Sequence, residues 1–258
     1  TLAATTPTSE AVAAIAMDAG GSTTCAIRTD RTLWCWGNLS LDDYFLVMES
    51  GPIGRNGANE PQQIGRRLWL SVAVGTENVC GIVIPTATAT SGALYCFGGN
   101  EFGQLGVSPD ILRAATEPLR IGTDTGWTPV DTSSGTVCAI NAGTAYCIGR
   151  NDESQFGLVG DTDNSSELML LETGEIPSQI ATGNTHTCFL QADNGVAHCV
   201  GDNAYGQVGD GTTTDRDAWR TVDGDHRFTS LTAGLFFTCG IAAPTTTVPA
   251  TTTSTSTP

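Results

Sequence analysis

Short runs of alternating apolar and polar residues surround eight of the nine cysteines, and turn residues separate one run from the next. Alternation with a period of two, enriched in aromatic and β-branched residues, predicts β-strands that are buried on one face. The runs come in pairs whose cysteines are separated by 10, 16, 9 and 11 residues. The pattern therefore predicts an all-β protein built from antiparallel hairpins.

The hairpins belong to an internal repeat. A first half-motif places an apolar residue eight positions before a cysteine and a small turn residue five positions before it; its copies are 17–27, 72–82, 130–140, 180–190 and 231–241. A second half-motif contains a cysteine, a glycine and an asparagine; its copies are 33–38, 94–100, 145–151 and 197–203. Leading cysteines lie 55, 58, 50 and 51 residues apart. Such a regular period indicates a repeat architecture, in which each repeat is one structural unit.

Placing the two cysteines of a unit directly opposite each other gives a consistent hairpin register. In the third unit this leaves Ala142-Gly143 as a two-residue turn, and in the fourth unit it leaves Asp193-Asn194. The first unit needs a three-residue loop at 29–31, and the second carries an inserted loop at 85–92. Opposed strand positions are close enough for a disulfide. We therefore predict the disulfides Cys25–Cys35, Cys80–Cys96, Cys138–Cys147 and Cys188–Cys199, with Cys239 left as a free thiol.

Other residues that recur in the repeat are expected to be structural. Trp69, Trp127 and Phe228 all lie eleven residues before a leading cysteine, which favours core aromatics over a ligand platform. Gln104, Gln155 and Gln207 recur in the segment after the second half-motif, where a side-chain amide can satisfy backbone groups of a turn.

Composition narrows the function. The chain has 27 acidic and 11 basic residues and a net charge of −16, which disfavours binding to nucleic-acid phosphates. Cysteines at these spacings, without a C-x-x-C pair, do not match a structural zinc site. Paired cysteines indicate an oxidising compartment, so we expect a secreted or cell-surface protein. No apolar run is long enough to span a membrane.

Both ends are rich in Thr, Pro and Ser, and we expect them to be disordered, low-complexity linkers. We expect a linker at 1–14, four repeats at 15–66, 67–121, 122–176 and 177–226, a half repeat at 227–243, and a tail at 244–258.

The repeat resembles the regulator of chromosome condensation repeat, and is most similar to the cysteine-containing form of secreted bacterial proteins. The propeller of the β-lactamase inhibitory protein is a more distant relative. The resemblance extends from residue 15 to 243. It is best in 180–215, where the motif positions His186, Cys188, Cys199, Asn203 and Gln207 and the run 210–215 all match. It implies a propeller, usually of seven four-stranded blades.

Only four units and half of a fifth are present, so we expect an incomplete or open arc of about four to five blades. Three alternatives fit this expectation: the arc stands alone, it is a fragment of a longer protein, or it forms a closed ring together with a partner. Further repeats or a domain beyond the tail are part of this expectation, and so is a disulfide-linked dimer through Cys239.

No catalytic motif is present, so we predict a protein that is not an enzyme and has no cofactor and no metal. His186 and His198 occupy repeat positions that other units fill with Thr, Asn, Phe, Trp or Tyr, which favours a structural role. The acidic stretch 161–172 has calcium-loop spacing, but Ser166 stands where the loop needs Gly. We interpret it as a plain loop and leave calcium binding there open.

The first expectation for function is a non-enzymatic extracellular repeat module that binds a protein or a cell-surface ligand. The alternatives implied by the resemblance are a secreted enzyme inhibitor of the β-lactamase inhibitory type and, less favoured, a guanine-nucleotide exchange factor.

An insertion in the first unit contains five consecutive apolar residues, Tyr44, Phe45, Leu46, Val47 and Met48. They form either a loop that buries itself locally or an exposed partner-binding patch. They are therefore the candidate binding residues from the sequence.

Overall fold

A computed structural model describes residues 13–38 and 58–244, with the backbone of four short strands between these ranges. All regular secondary structure in the described residues is β-strand, so the all-β prediction is confirmed. No helix in this part of the chain could cross a membrane.

Each repeat folds as one four-stranded antiparallel sheet, here called a blade. Blade 1 contains β1 Ala14–Gly20, β2 Thr23–Arg28, β3 Leu33–Gly37 and β8 Ala58–Gln63. The insertion of blade 1 contains β4 Ser40–Leu41 paired with β5 Tyr44–Phe45, and β6 Val47–Met48 paired with β7 Gly51–Pro52. Blade 2 contains β9 Leu68–Val74, β10 Asn78–Ile84, β11 Ala93–Gly99 and β12 Ala114–Arg120. Blade 3 contains β13 Trp127–Thr132, β14 Thr136–Asn141, β15 Thr144–Gly149 and β16 Ser165–Leu170. Blade 4 contains β17 Pro177–Thr182, β18 His186–Gln191, β19 Ala197–Gly201 and β20 Arg216–Thr221. The fifth unit is a half-blade, β21 Phe228–Ala233 paired with β22 Thr238–Ala242.

The blades are arranged side by side in sequence order. The first strand of each blade contacts the first strand of the next, from β1 through β9, β13 and β17 to β21. The second strand of each complete blade packs on the first strand of the following blade. In the described residues, blade 1 and the half-blade share no packing interface. The molecule is therefore an open propeller arc, as the incomplete repeat count predicted.

Apolar clusters fill the spaces between adjacent blades, and the cysteine pairs lie within them. The cluster between blades 2 and 3, for example, contains Cys80, Cys96, Leu105, Trp127 and Ile148, all buried. Trp69 holds the place of Trp127 in the cluster between blades 1 and 2. Burial of Trp69 and Trp127 agrees with their predicted core role, whereas Phe228 is only half-buried and packs against the cluster between blade 4 and the half-blade. The hydrophobic effect is the main force that joins one blade to the next.

The hairpin register follows the cysteines. Each of the four pairs is directly opposed across strands two and three of its blade, with Cα atoms 4.1 Å apart. Ala142-Gly143 forms the predicted two-residue turn with positive φ at both residues, as a type I′ turn requires. The turn predicted at Asp193-Asn194 is wrong. Neither residue has positive φ; instead Gly195 has φ +69, and its N–H closes a longer loop on the carbonyl of Gln191.

Buried asparagines and glutamines hold the loop after the third strand in blades 2, 3 and 4. Asn203 donates to the carbonyls of Thr212 and Thr214 at 3.1 and 3.0 Å, and its Oδ1 accepts from Val208 N at 3.0 Å. Gln207 Oε1 accepts from Tyr205 N at 2.9 Å. The equivalent amides in blades 2 and 3 make the same turn contacts, which confirms the predicted role of the glutamines.

Carboxylates on inner strands tie neighbouring blades together. Asp18 Oδ2 accepts from Val74 N at 2.6 Å, which joins blade 1 to blade 2. Asp131 Oδ2 accepts from the N–H of Thr182 at 2.7 Å and from its hydroxyl at 3.2 Å, which joins blade 3 to blade 4. Burial, together with repulsion from the Asp18 carboxylate, raises the pKa of Asp131 to about 6, although the backbone donor of Thr182 opposes the shift.

Candidate protein-binding site at the open end

The half-blade leaves one end of the arc uncovered. Among the described residues, β22 is paired only with β21, whereas the second strand of every other blade lies between two neighbours. We call the half-blade together with the adjoining loop 204–209 of blade 4 the open end. Because strand edges and apolar sheet faces bind other polypeptides, the open end is the strongest candidate site in the fold.

Equivalent positions in complete blades are buried, and in the half-blade they are exposed. Leu190 of blade 4 is 5% exposed, and Ile241 at the same repeat position is 67% exposed. His186 is fully buried, and its equivalent Phe237 is 57% exposed. Cys239 is an exposed free thiol, whereas the eight paired cysteines are fully buried. The exposed face is therefore the one that a following blade would cover.

A cavity lies beside this face, between blade 4 and the half-blade. Its volume is about 210 Å³. The loop residues Gln207 and Val208 form its blade 4 side, and Phe228, Leu231 and Gly240 form its half-blade side. The rings of Tyr205 and Phe236, both exposed, lie 5.3 Å apart and also line it. An apolar cavity with exposed aromatics at its rim suits the anchoring side chain of a protein partner.

The half-blade is attached firmly to blade 4. His186 Nε2 lies 2.9 Å from Thr238 Oγ1, and that hydroxyl donates to the carbonyl of Gln207 at 2.9 Å. Since the hydroxyl proton is used on Gln207, the imidazole donates to Thr238 through Nε2. Burial lowers the pKa of His186 to about 4, so the ring is neutral at physiological pH. Gln179 exchanges two further hydrogen bonds with the backbone of Leu231, at 2.8 and 2.9 Å.

The sequence-based candidate residues fall in different places. Each disulfide joins two strands of one blade and is buried, and Cys239 lies at the open end. The candidate patch Tyr44–Met48 is not brought into a described site: Tyr44, Phe45, Val47 and Met48 are described only as backbone strand, and Leu46 lies outside the described residues. Its role as a partner surface stays a prediction.

Polar groups of the acidic stretch are used within their own loop. Asp161 Oδ1 accepts from Asp163 N at 2.9 Å, and the Asp161 carbonyl accepts from Asn151 Nδ2 at 3.0 Å. Asn164 Oδ1 accepts from Asn151 N at 2.8 Å. In the described parts of the chain, no group of three or more His, Cys, Asp or Glu side chains could hold a metal ion. His198 is stacked on Phe189 with ring centroids 4.8 Å apart.

Sequence reasoning missed the aromatic part of the open end. Tyr205 was not singled out. The apolar residues Phe236, Phe237 and Ile241 around Cys239 favour burial against the preceding blade in the sequence, but all three are exposed, so that prediction is wrong. Phe236 and Phe237 occupy a turn that is polar in the other repeats. That departure was the available signal. Met17 was missed as well: it is 67% exposed, while its equivalents Val130, Ile180 and Leu231 are buried against the preceding blade. The other end of the arc is thus also uncovered in the described residues.

Comparison with known proteins supports the repeat assignment. A family model described as the regulator of chromosome condensation (RCC1) repeat matches residues 14–38. The E3 ubiquitin-protein ligase HERC2 of Homo sapiens is 30% identical over 183 residues, which cover 67% of this chain and 3% of that protein. The probable E3 ubiquitin-protein ligase HERC4 of Rattus norvegicus is 27% identical over 212 residues, which cover 78% of this chain and 18% of that protein. The chain therefore spans less than a fifth of these relatives.

Solved structures support the fold. Human WBSCR16 matches with a TM-score of 0.70 and 20% identity, over 86% of this chain and 58% of that one. Yeast RCC1 (Prp20), in its complex with Kap60, matches with a TM-score of 0.69 and 16% identity, over 88% of this chain and 53% of that one. At this identity the similarity establishes the architecture, and the chain spans little more than half of either protein.

Proposed function

Since the chain belongs to the family of regulator of chromosome condensation repeats, we propose that it is a non-enzymatic, extracellular module that binds another protein through its open end. The single observation that carries this proposal is the exposed, partly apolar face of the half-blade, on which Cys239 and Ile241 are exposed while the equivalent residues of all four complete blades are buried. Exposed apolar patches of this kind mark protein interaction surfaces.

Two further observations support the proposal. The four disulfides suit an oxidising, extracellular location. The open end also combines the anchors that protein interfaces favour, because aromatic rings surround a cavity while backbone groups of β22 lie at a sheet edge. Neither the ligase named in the relatives nor guanine-nucleotide exchange is part of the proposal, because no observation at the open end favours it.

The experiment is affinity capture from the extracellular fraction of the source organism with three forms of the protein. The wild type is compared with a Phe236→Ser/Phe237→Ser variant and with an Ile111→Ser/Val159→Ser variant. The control pair removes two equally apolar, exposed side chains from loops of blades 2 and 3. Captured proteins are identified, purified and titrated by calorimetry.

We expect the open-end variant to lose at least about tenfold in affinity, as for a hot spot, while the control binds like the wild type. Equal losses in both variants, or no loss in either, would contradict binding through the open end. Acceleration of nucleotide release from a small GTPase would contradict the choice of a binding module over an exchange factor.

A further inference from the structure

In the described residues, the half-blade has no counterpart of the third strand that follows the second strand in blades 1 to 4. In blades 1 to 4 the second strand pairs with a third strand of one pattern, with the sequences LWCWG, LYCFG, AYCIG and AHCVG. The register is the same each time, with cysteine opposite cysteine. In the half-blade, Cys239 stands at this position on β22.

The free edge of β22 has the backbone groups that a third strand needs. The carbonyl of Phe237 accepts from Gly234 N, on the β21 side. Successive residues of an antiparallel strand direct their backbone N–H and C=O groups to opposite edges of the strand. The N–H and C=O groups of Thr238, Gly240 and Ala242 therefore lie on the free edge of β22, away from β21. In blade 4 the equivalent residue Gln191 indeed donates outward, to Val196 on the far side of the hairpin loop.

The cavity matches the side chains of such a strand. In complete blades, the residues before and after the third-strand cysteine pack toward the preceding blade: Tyr146 and Ile148 lie in the same cluster as Leu105 of blade 2. In that register, an added strand would place the equivalent pair opposite Gly240 and Thr238. Both residues line the 210 Å³ cavity, and so does Val208, the blade 4 equivalent of Leu105.

We propose that the open end binds a strand from a different polypeptide that carries this third-strand pattern: a small or apolar residue, an aromatic residue, cysteine, an apolar residue and glycine. The strand adds antiparallel to β22, with its cysteine opposite Cys239. A second copy of this chain is not the occupant, because each of its own strands of this pattern is already paired on both edges. This inference rests on the proposed function and specifies the partner of the same site.

The step that fixes the strand is a thiol–disulfide exchange. Cys239 Sγ, as a thiolate, attacks the partner's cysteine when that cysteine is held in a mixed disulfide. A new bond forms between Cys239 and the partner sulfur, the mixed disulfide breaks, and its other half leaves as a thiolate. No external oxidant is consumed. The four structural disulfides are fully buried and do not compete.

The test uses the whole chain, with Cys239 reduced, and a synthetic peptide of residues 143–151 (GTAYCIGRN). The peptide cysteine is carried as a mixed disulfide with thionitrobenzoate, whose coloured release reports the reaction. A control peptide has serine in place of both the tyrosine and the isoleucine, so its thiol chemistry is the same while its cavity-filling groups are absent. Ala242→Pro is the matched protein variant, because it removes an outward N–H and leaves Cys239 exposed.

We expect the matched peptide to react at least about tenfold faster than the control with the wild type, since burial of one of its two apolar side chains alone favours the bound strand by about that factor. In Ala242→Pro this ratio falls toward one, while both proteins react equally with the small disulfide reagent itself. Equal rates for the two peptides on the wild type, or an unchanged ratio in Ala242→Pro, overturn strand addition. Affinity capture that depends on Phe236 and Phe237 would then still support the proposed function, so the two failures are distinguishable.

Discussion

Replacing Asp131 by asparagine should stabilise the folded protein at neutral and alkaline pH. The carboxylate joins blades 3 and 4 through Thr182, yet it is surrounded by protein atoms and repelled by Asp18. An asparagine side chain at this position would keep an acceptor oxygen for both donors of Thr182 and carry no charge. The substitution therefore measures how much the negative charge destabilises the folded state while the hydrogen bonds to Thr182 are kept.

The magnitude follows from the pKa of Asp131, which burial raises from 3.8 to about 6. At about 1.4 kcal/mol per unit, the ionised group opposes folding by up to about 3 kcal/mol above pH 6. Two effects reduce this figure. Asp131 is partly exposed to solvent, which weakens the penalty on its charge. The N–H groups of the new amide also need hydrogen-bond partners, and each one left without a partner costs about 1 kcal/mol. A net gain of about 1 to 2 kcal/mol in the free energy of unfolding remains.

Urea unfolding of the two proteins at a series of pH values between 8 and 4 checks this. Because the folded state holds the Asp131 proton more tightly than the unfolded state, the wild type gains stability as pH falls through 6. The advantage of the variant therefore shrinks through that range and disappears near about pH 4. Asp18→Asn, which removes only the neighbouring charge, should give a smaller gain. A variant that is less stable than the wild type at pH 8 would refute the reasoning.

Three further results are expected. Acid should weaken the junction at His186, because burial lowers the pKa of this residue to about 4. The stability that the neutral ring contributes above pH 6.5 is lost as pH falls toward 4, and the loss in free energy of unfolding is roughly 2 kcal/mol at pH 5. Urea titrations of His186→Asn should not show this loss. Non-reducing peptide mapping should recover the four within-blade disulfides, and replacing both Cys138 and Cys147 by Ser should cost about 3 kcal/mol; a disulfide between blades would contradict the register. On non-reducing gels the purified wild type should form some disulfide-linked dimer, whereas the Cys239→Ser variant should stay monomeric. If both the wild type and the variant run as monomers, the Cys239 thiol is covered.

Local patterns were sufficient for the blade. Alternation predicted the strands, and the opposed cysteines specified the register of all four hairpins, because a one-residue slip would place every side chain on the wrong face. The repeated glutamines were interpreted correctly, since their partners lie two residues away. The turn at Asp193-Asn194 was not, because the position of Gly195, which alone there has positive φ, favours a longer loop.

The candidate site was only partly predictable. The odd number of cysteines and the truncated fifth unit point to Cys239 in the sequence alone. The contribution of Tyr205 could not be foreseen, because it lies in a loop of blade 4 and meets Phe236 only through packing of one blade on the next.

The sequence by itself therefore determines the number of units and, within each unit, the strand order, the register and the cysteine pairing. The relations between repeats depend instead on how the blades pack in three dimensions. The charge of Asp131 becomes costly mainly through burial between blades 3 and 4, and also through Asp18, more than a hundred residues away. The cavity at the open end forms where a loop of blade 4 meets the half-blade. Contacts within a hairpin join residues close in sequence and recur with its pattern, whereas burial depends on which neighbour is present.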